Sequence, residues 1–260
     1  MEKKNELVSI IMPTYNCGDY IEESIKSVQA QTYQNWELVV VDDCSGDDTI
    51  KKVQKIQLFD KRIHIYQNAF NSGAAYCRNV ALSEAKGRWV AFLDSDDLWE
   101  PEKLEKQVRF METNDYTFSY TNYQEIDGES NSTGVFVSGP KHVTRADMFA
   151  YCWPGCLTVM YDRKKIGLIQ IANIKKNNDY AMWLKVCRKA DCYLLDECLA
   201  MYRRGRSGSV STHGIGTLIG WHYKLWHEAE GMNPIASLWY TGLNLVCGFY
   251  KKMKYVRKQK

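Results

Sequence analysis

The chain has 260 residues, of which 45% are hydrophobic, and a formal net charge of +3. This length is enough for one large domain, or for one domain with a small appendage. The small net charge does not favour a nucleic-acid-binding protein. No apolar run reaches the roughly 18 residues that a membrane-spanning helix needs.

The cysteines and the first residues of the chain indicate the cellular compartment in which the protein is expected. The nine cysteines are odd in number and show no repeated CxxC spacing. Met1 to Glu6 form a polar segment without the apolar core of a signal peptide. We therefore expect reduced thiols in a cytoplasmic protein. Cys152 and Cys156 have the spacing of half a zinc site, but the sequence offers no matching second half.

The first half of the chain alternates strands with helices. Apolar runs predict strands at residues 7–12, 36–41, 62–66 and 89–93, and apolar residues at helical spacing predict helices at 19–28, 50–56 and 74–86 and another from Pro101. Such alternation indicates an α/β fold with a doubly wound, mainly parallel sheet and a Rossmann-like nucleotide-binding half.

Polar residues follow three of these strands directly, at 13–16, 42–43 and 94–97. Because ligands of parallel sheets bind at the carboxyl ends of the strands, we expect these residues to meet in one site. Asp94, Asp96 and Asp97 come after an uncharged apolar strand. Carboxylates there suit a hard divalent cation that holds a phosphate, although an Asp-rich turn before the next helix would give the same pattern.

The second half is less regular. We predict strands at 117–122 and 157–161, a mobile loop or hairpin at 123–141, a short helix capped by Thr144, and a helix at 178–189, and residues 192–201 are mostly apolar. Aromatic and apolar residues crowd the segment from Trp221 to Tyr250, and 251–260 carries six cations and no acid. Two explanations stay open. One is docking at an anionic membrane surface, and the other is a helix packed on the domain with a frayed basic tail.

Six segments, in order, resemble the motifs of the family 2 glycosyltransferases. They are residues 8–16 (VSIIMPTYN), 39–45 (VVVDDCS), 71–73 with 78–79 (NSG, RN), 92–97 (FLDSDD), 178–184 (NDYAMWL) and 202–203 (YR). The resemblance covers residues 7 to about 211. It implies a GT-A fold and inverting transfer of a sugar from a nucleotide sugar.

The resemblance also implies a nucleotide site. Equivalents of Pro13, Tyr15 and Asp43 hold the uracil, with the Asp accepting a hydrogen bond from N3–H of the base. Ser95 lies in the same site. Arg78 is placed near the nucleotide or paired with the acidic end of the strand. For residues 42–46, a helix-capping turn is an alternative that is compatible with binding.

Asp94-Ser95-Asp96 resembles the DxD motif of this family. By that resemblance Asp96 ligates Mn²⁺ or Mg²⁺ between the diphosphate oxygens, and Asp94 approaches the ribose or the metal. Asp97 is expected to cap the following segment.

Asp179 matches the general base, which takes the proton of the acceptor hydroxyl. The family usually has Glu-Asp here, whereas this chain has Asn178-Asp179. The alternative is a structural Asp in the first turn of a helix, favoured by the helix dipole.

Arg203 matches a segment that closes over the diphosphate. Relatives place a His two positions later, where this chain has Gly205. Arg203, Arg204 or Arg206 would then supply the cation, or the segment is a plain basic loop.

These predictions combine into one hypothesis. A GT-A catalytic domain spans 1–211, with a nucleotide-binding half at 1–122 and an acceptor-binding half at 123–211, and 212–260 forms a helical extension. The donor is a UDP-sugar, and the acceptor is a glycan on a polyprenyl lipid carrier, used for surface polysaccharide at the inner face of the membrane. The alternatives are a non-catalytic binder of nucleotide sugars and a nucleotidyltransferase. The latter would normally show a Gly-rich phosphate loop where this chain has residues 13–18 (PTYNCG).

Overall fold

A computed structural model describes residues 5–205 and 215–258, and it confirms the expected α/β fold. The strands are β1 Val8–Thr14, β2 Trp36–Asp42, β3 Ile63–Gln67, β4 Trp89–Phe92, β5 Leu98–Trp99, β6 Phe118–Ile126, β7 Ser132–Val137, β8 His142–Val143, β9 Met160–Asp162, β10 Cys192–Arg203 and β11 Val256–Lys258. The helices are α1 Ile21–Gln29, α2 Thr49–Gln57, α3 Ala74–Glu84, α4 Lys103–Thr113, α5 Arg145–Ala150, α6 Arg163–Ile166, α7 Asn178–Cys187, α8 Ile215–Lys224 and α9 Pro234–Tyr255.

The described strands form a mixed sheet in the order β11-β7-β6-β9-β4-β1-β2-β3. Its centre is parallel, since β1 pairs in parallel with β2 and β4, and β2 with β3. β9 runs antiparallel between β4 and β6, and β10 lies parallel beside β6. The carboxyl ends of β1, β2 and β4 therefore lie at one edge of the sheet, and the three polar segments of the sequence are located there.

Helices cover both faces of the sheet because the central strands are apolar on both sides. Every residue of β1 is buried. Val8, Ile10 and Met12 pack in one core with α1, α2 and α4, whereas Ile11 belongs to a second core with α3 and α7. This three-layer packing fixes the strand ends as a rigid platform.

Two parts of the second half differ from the sequence prediction in detail. Residues 157–161 are not one strand: a 3₁₀ turn occupies Cys156–Thr158, and the strand is limited to Met160–Asp162. The turn forms because the backbone N–H and the hydroxyl of Thr158 both donate to the Gly155 carbonyl. The polar stretch at 123–141 forms a hairpin, in which β6 continues to Ile126 and pairs with β7.

The last helices pack against the domain. Within the described ranges, no helix has the length and apolarity needed to cross a membrane. α9 begins cleanly because the Asn233 side chain accepts a hydrogen bond from Ala236 N–H and Pro234 occupies the first turn. After α9, Val256–Lys258 pairs with β7 as an edge strand. The expectation of a frayed tail is therefore wrong for residues 256–258.

Candidate active site

Asp43, at the end of β2, is held as a carboxylate by protein donors. Its Oδ1 accepts hydrogen bonds from Asn68 Nδ2 (2.9 Å) and Ser72 N–H (2.8 Å), and its Oδ2 accepts one from Gly73 N–H (2.7 Å). Burial opposes the charge, but these hydrogen bonds outweigh it and lower the pKa of Asp43. Gly73 has φ +88°, a conformation that favours glycine. The Asn-Ser-Gly segment is thus built around an ionised Asp43.

Its neighbour Asp42 has a different role. The Asp42 carboxylate accepts hydrogen bonds from the backbone N–H of Ser45 (2.9 Å) and from its hydroxyl (2.5 Å), and is fully buried. Asp42 thus closes a turn with Ser45, but this turn does not cap a helix as the alternative for residues 42–46 expected, because α2 begins at Thr49 with Asp48 as its N-cap. Asp43 is the member of the pair that faces the α3 loop.

The end of β1 supplies Pro13 and Tyr15. Pro13 is buried, whereas Tyr15 is 47% exposed. Hydrogen bonds from Asn16 N–H to the Ser45 hydroxyl and from Gly46 N–H to Asn16 Oδ1 join this loop to the loop after β2. The partly exposed Tyr15 ring and the Asp43 carboxylate are thus carried by two neighbouring loops that are bonded to each other.

Arg78 links the end of β4 with the start of α7. It is buried, and its Nη2 forms an ion pair with Asp94 Oδ1 at 2.5 Å, while Nη1 donates to Asn178 Oδ1 at 2.9 Å. Of the two positions expected for Arg78, the structure shows the pairing with the acidic strand end. One guanidinium therefore connects the Asp94-Ser95-Asp96 segment with the residue next to Asp179.

Asp179 lies in the first turn of α7 and is partly buried. α7 is fixed against β4 by the edge-on contact of Trp183 with Phe92, whose ring centroids are 5.1 Å apart. Burial raises the pKa of Asp179, and the Arg78 charge opposes that rise. A carboxyl with a raised pKa is a better proton acceptor than an ordinary surface Asp, which suits a general base.

The turn after β4 contains Asp94, Ser95 and Asp96 and is anchored to α1. Asp94 and Asp96 are partly buried, and Ser95 is buried. The Ser95 carbonyl accepts hydrogen bonds from the Cys17 thiol (3.2 Å) and the Ser24 hydroxyl (2.9 Å), which anchor the turn to α1.

Asp97 does not cap the following helix, so that prediction was wrong. It is buried, its Oδ1 accepts a hydrogen bond from Arg203 N–H at 2.9 Å, and the N-cap position of α4 is Glu102. Asp97 therefore joins the turn after β4 to the end of β10.

Arg203 is occupied by the protein. Its side chain is fully buried, with an ion pair from Nη2 to Glu23 (2.7 Å) and a hydrogen bond from Nε to the Asp96 carbonyl (2.7 Å). Nη1 donates to the Asp127 carbonyl (3.0 Å) and the Ser130 hydroxyl (2.9 Å). Because every guanidinium nitrogen has a protein acceptor, we do not retain Arg203 as a diphosphate contact. Arg204 is half-exposed and pairs with Glu125, and Arg206 lies outside the described residues.

Cys156 lies near the same site, although the sequence singled it out only for its spacing from Cys152, which is that of half a zinc site. Burial raises the pKa of its thiol well above the usual range, and the charged groups that act on it are Arg78, Asp94, Asp179 and Asp97. Asp179 also acts on Cys152, whose thiol pKa is raised by burial. The 3₁₀ turn and the segment before it therefore lie near Asp179.

The carboxylates suit a cation that shares its ligands with a substrate. In residues 5–205 and 215–258, no three His, Cys, Asp or Glu side chains are grouped so that they could hold a metal by themselves. Asp94 and Asp96 offer hard oxygen donors, of which Asp94 Oδ1 is already paired with Arg78. Mg²⁺ commonly binds through one or two carboxylates together with substrate phosphates, so this donor set fits such an ion.

A cavity of about 580 Å³ lies elsewhere, between β7, β10 and β11. Its lining includes Asn122, Asp196, Lys254 and Arg257, and none of the residues described above. The polar residues at the ends of β1, β2 and β4 therefore do not line this cavity.

Comparison with known proteins gives the family. The model of Glycosyl transferase family 2 matches residues 9–151. A protein of Bacillus subtilis provisionally named a teichuronic acid biosynthesis glycosyltransferase, TuaG, is 45% identical over 90% of this chain and 92% of its own length. WfaP of Escherichia coli, named a UDP-Glc:alpha-D-GlcNAc-diphosphoundecaprenol beta-1,3-glucosyltransferase, is 42% identical over 82% of this chain and 83% of its own.

Solved structures give the same fold. Staphylococcus aureus TarS 1-349 in complex with UDP-GlcNAc superposes with a TM-score of 0.70 at 22% identity, covering 96% of this chain and 74% of that one. The mannosyltransferase PcManGT of Pyrobaculum calidifontis, in complex with GDP-Man and Mn²⁺, gives a TM-score of 0.64 at 17% identity, covering 94% and 75%. At these identities the likeness concerns the fold.

The family match decides against the two alternatives, the non-catalytic binder and the nucleotidyltransferase. It extends over more than half of the chain and coincides with the strand ends that carry Asp43 and Asp94. Together with the relative that is 45% identical over nearly the whole length, it shows that the chain belongs to glycosyl transferase family 2 and is a glycosyltransferase with the GT-A fold.

Proposed function

We propose that this enzyme transfers one sugar from a UDP-sugar to a hydroxyl of a lipid-linked glycan, with inversion at the anomeric carbon. The observation that carries the proposal is the Arg78 bridge, which joins Asp94 at the leaving-group side to Asn178, beside Asp179, at the acceptor side. Arg78 thereby lies between the proposed site of the departing diphosphate, at Asp94, and the proposed site where the acceptor is activated, at Asp179.

The residues have separate roles in this proposal. Tyr15 offers a ring face and Asp43 a fixed carboxylate for the uracil. Ser95, in the turn anchored to α1, would lie beside the diphosphate. Asp96, with Asp94, would hold Mn²⁺ or Mg²⁺. When bound, such a cation offsets the negative charge that builds on the departing nucleoside diphosphate.

Asp179 is the proposed general base. As the acceptor oxygen bonds to the anomeric carbon, the hydroxyl proton passes to the Asp179 carboxylate and the bond from that carbon to the diphosphate oxygen breaks. Its raised pKa is the property that a proton acceptor in this position needs. Asn178 stands where the family usually has Glu. In this chain its Oδ1 accepts a hydrogen bond from Arg78, so it helps to hold Arg78 beside Asp179.

The acceptor class comes from the relatives. WfaP is named for a diphosphoundecaprenol-linked acceptor and a UDP-glucose donor. We propose the same class for this chain, a sugar on a polyprenyl diphosphate at the cytoplasmic face of the membrane, in the synthesis of a surface polysaccharide. We also retain as a proposal the division into a catalytic domain at 1–211 and a C-terminal extension.

The direct test is a donor panel. The full chain is incubated with a GlcNAc-diphosphoprenol acceptor, Mn²⁺ and, in turn, UDP-glucose, UDP-galactose, UDP-GlcNAc and GDP-mannose, and UDP or GDP release is measured with and without acceptor. We expect acceptor-dependent release with one UDP-sugar and its loss on addition of a chelator. Release from GDP-mannose alone would contradict the UDP assignment, and equal release without acceptor would contradict the acceptor class.

A further inference from the structure

The C-terminal helix α9 is oriented with its polar side inward. Ser237, Thr241 and Asn244 are buried. Asn244 Nδ2 donates to the Ala150 carbonyl at 2.6 Å, and Lys251 Nζ donates to the Trp153 carbonyl at 2.6 Å. The spacing of these residues places them on one face, which therefore satisfies backbone carbonyls of the domain.

The opposite face of α9 is apolar and exposed. Ile235, Leu238, Trp239, Val246, Phe249 and Met253 have between 61% and 82% of their surface accessible. Apart from the adjacent pair Leu238 and Trp239, they recur at intervals of three, four or seven residues, so they form a continuous stripe along about five turns of α9. Surface helices normally turn such a stripe toward the core, and large exposed apolar patches mark contact surfaces.

The charges beside the stripe favour an anionic partner. From Gly231 to Lys260 the sequence contains six Lys and Arg and no Asp or Glu. Lys252 and Lys254 in the last turns of α9, and Arg257 and Lys258 in the following strand β11, are exposed. An apolar face with aromatic residues and a cationic end is the pattern of a helix that lies in the plane of an anionic membrane surface. A second copy of the chain would bring the same cations to the contact, and no acid from α9 to pair with them.

We propose that the exposed face of α9 docks on the surface of an anionic lipid bilayer. Its apolar stripe enters the boundary between headgroups and acyl chains, and Lys252, Lys254, Arg257 and Lys258 contact the headgroups. The opposite face of the helix holds Ala150, Trp153 and the hydroxyl of Tyr180, the residue after Asp179. Docking would therefore bring the Asp179 side of the site toward the lipid surface, a consequence that rests on the proposed lipid-linked acceptor.

The test is vesicle flotation of the full chain without donor, acceptor or metal. Vesicles are either phosphatidylcholine alone or equimolar phosphatidylcholine and phosphatidylglycerol. We expect the parent chain to float with the anionic vesicles and Trp239→Glu/Phe249→Glu to lower its partition coefficient roughly 30-fold or more. The matched control is Leu58→Glu/Phe59→Glu, which places the same charge on residues that are 69% and 86% exposed after α2, and it should float like the parent.

Two further variants separate the contributions. Val246→Ser/Met253→Ser shortens the apolar stripe without adding charge and should also weaken flotation. Replacing Lys252, Lys254, Arg257 and Lys258 by Gln should lower binding to the anionic vesicles on the order of 100-fold and remove the preference for them. Matching melting temperatures would show that the variants fold.

The proposal is overturned if the parent chain stays with the unbound fraction for both vesicle types, or if Trp239→Glu/Phe249→Glu floats as well as the parent. A dimer that this variant dissociates, with no flotation of the parent, would assign the face to a second copy instead. Because no reactant is present, failure here leaves the transfer reaction untouched. Failure of the donor panel likewise leaves the lipid contact standing.

Discussion

At the scale of single residues, Arg78 sets the electrostatics of the site. Its charge lies beside Asp94 and acts on Asp179, the two carboxyl groups with opposite tasks in the proposed reaction. The thiols of Cys152 and Cys156, whose pKa values are raised by burial, also face this cluster. Arg78 is thus the cation that favours the ionised form of the proposed base.

Removing this cation should move the pH profile. A base must be ionised to take a proton, and Arg78 stabilises the ionised form of Asp179. Arg78→Gln should therefore raise the pKa of Asp179 and shift the acidic limb of the kcat/KM profile upward by about 1–2 pH units, whereas Arg78→Lys should shift it less. An acidic limb at the same pH in all three proteins would show that Arg78 has only a structural role.

At the scale of elements, Arg203 joins parts of the chain that are far apart in sequence. It connects Glu23 of α1, the turn after β4 and the hairpin turn after β6, and Asp97 receives its backbone N–H. Because the turn after β4 carries Asp94 and Asp96, these contacts of Arg203 help to position the proposed metal ligands.

Arg203→Met should therefore act mainly on stability. The Glu23 partner is 45% exposed, so the loss comes mainly from the hydrogen bonds that the guanidinium donates to the carbonyls of Asp96 and Asp127, which are typically worth about 1.5–3 kcal/mol each. We expect a loss of that size in urea unfolding monitored by circular dichroism. Arg204→Met is the matched control, since its half-exposed pair with Glu125 should contribute about 1 kcal/mol or less. If the Arg203 variant kept its stability but bound UDP more weakly, the result would support the original assignment of Arg203 as a diphosphate contact.

The elements that build the site could be predicted because their signals are local. An apolar run that ends in carboxylates marks the end of a buried strand, and this pattern located Asp43 and Asp94 correctly. The partners of Arg78 and Arg203 could not be predicted, since Asn178 lies 100 residues from Arg78 and Glu23 lies 180 residues from Arg203. Such pairs depend on how helices pack on the sheet, which periodicity does not reveal.

At the scale of the whole molecule, the orientation of α9 is a second feature that the sequence alone could not predict. Its sequence contains both an apolar and a polar stripe, and either could face the domain. The carbonyls of Ala150 and Trp153 decide in favour of the polar stripe. Family membership and fold were predicted correctly because six short motifs kept their order over most of the chain.

Ligand binding should stabilise the whole domain. UDP with Mn²⁺ at about 100 times its dissociation constant should raise the melting temperature by about 5 °C or more, because the ligand binds the folded state. A chelator should abolish the shift, and Asp96→Ala should reduce it strongly. A shift that is equally large with chelator present would contradict the metal assignment.

The general base is tested most directly by measuring sugar transfer and UDP binding side by side for Asp179→Asn and the parent enzyme. The amide keeps the size of the side chain and removes its ability to take a proton. We expect kcat to fall by about a hundredfold or more while the affinity for UDP with Mn²⁺ stays the same. Transfer at the parent rate would contradict the assignment of Asp179 as the base, and so would a loss of UDP binding equal to the loss of transfer.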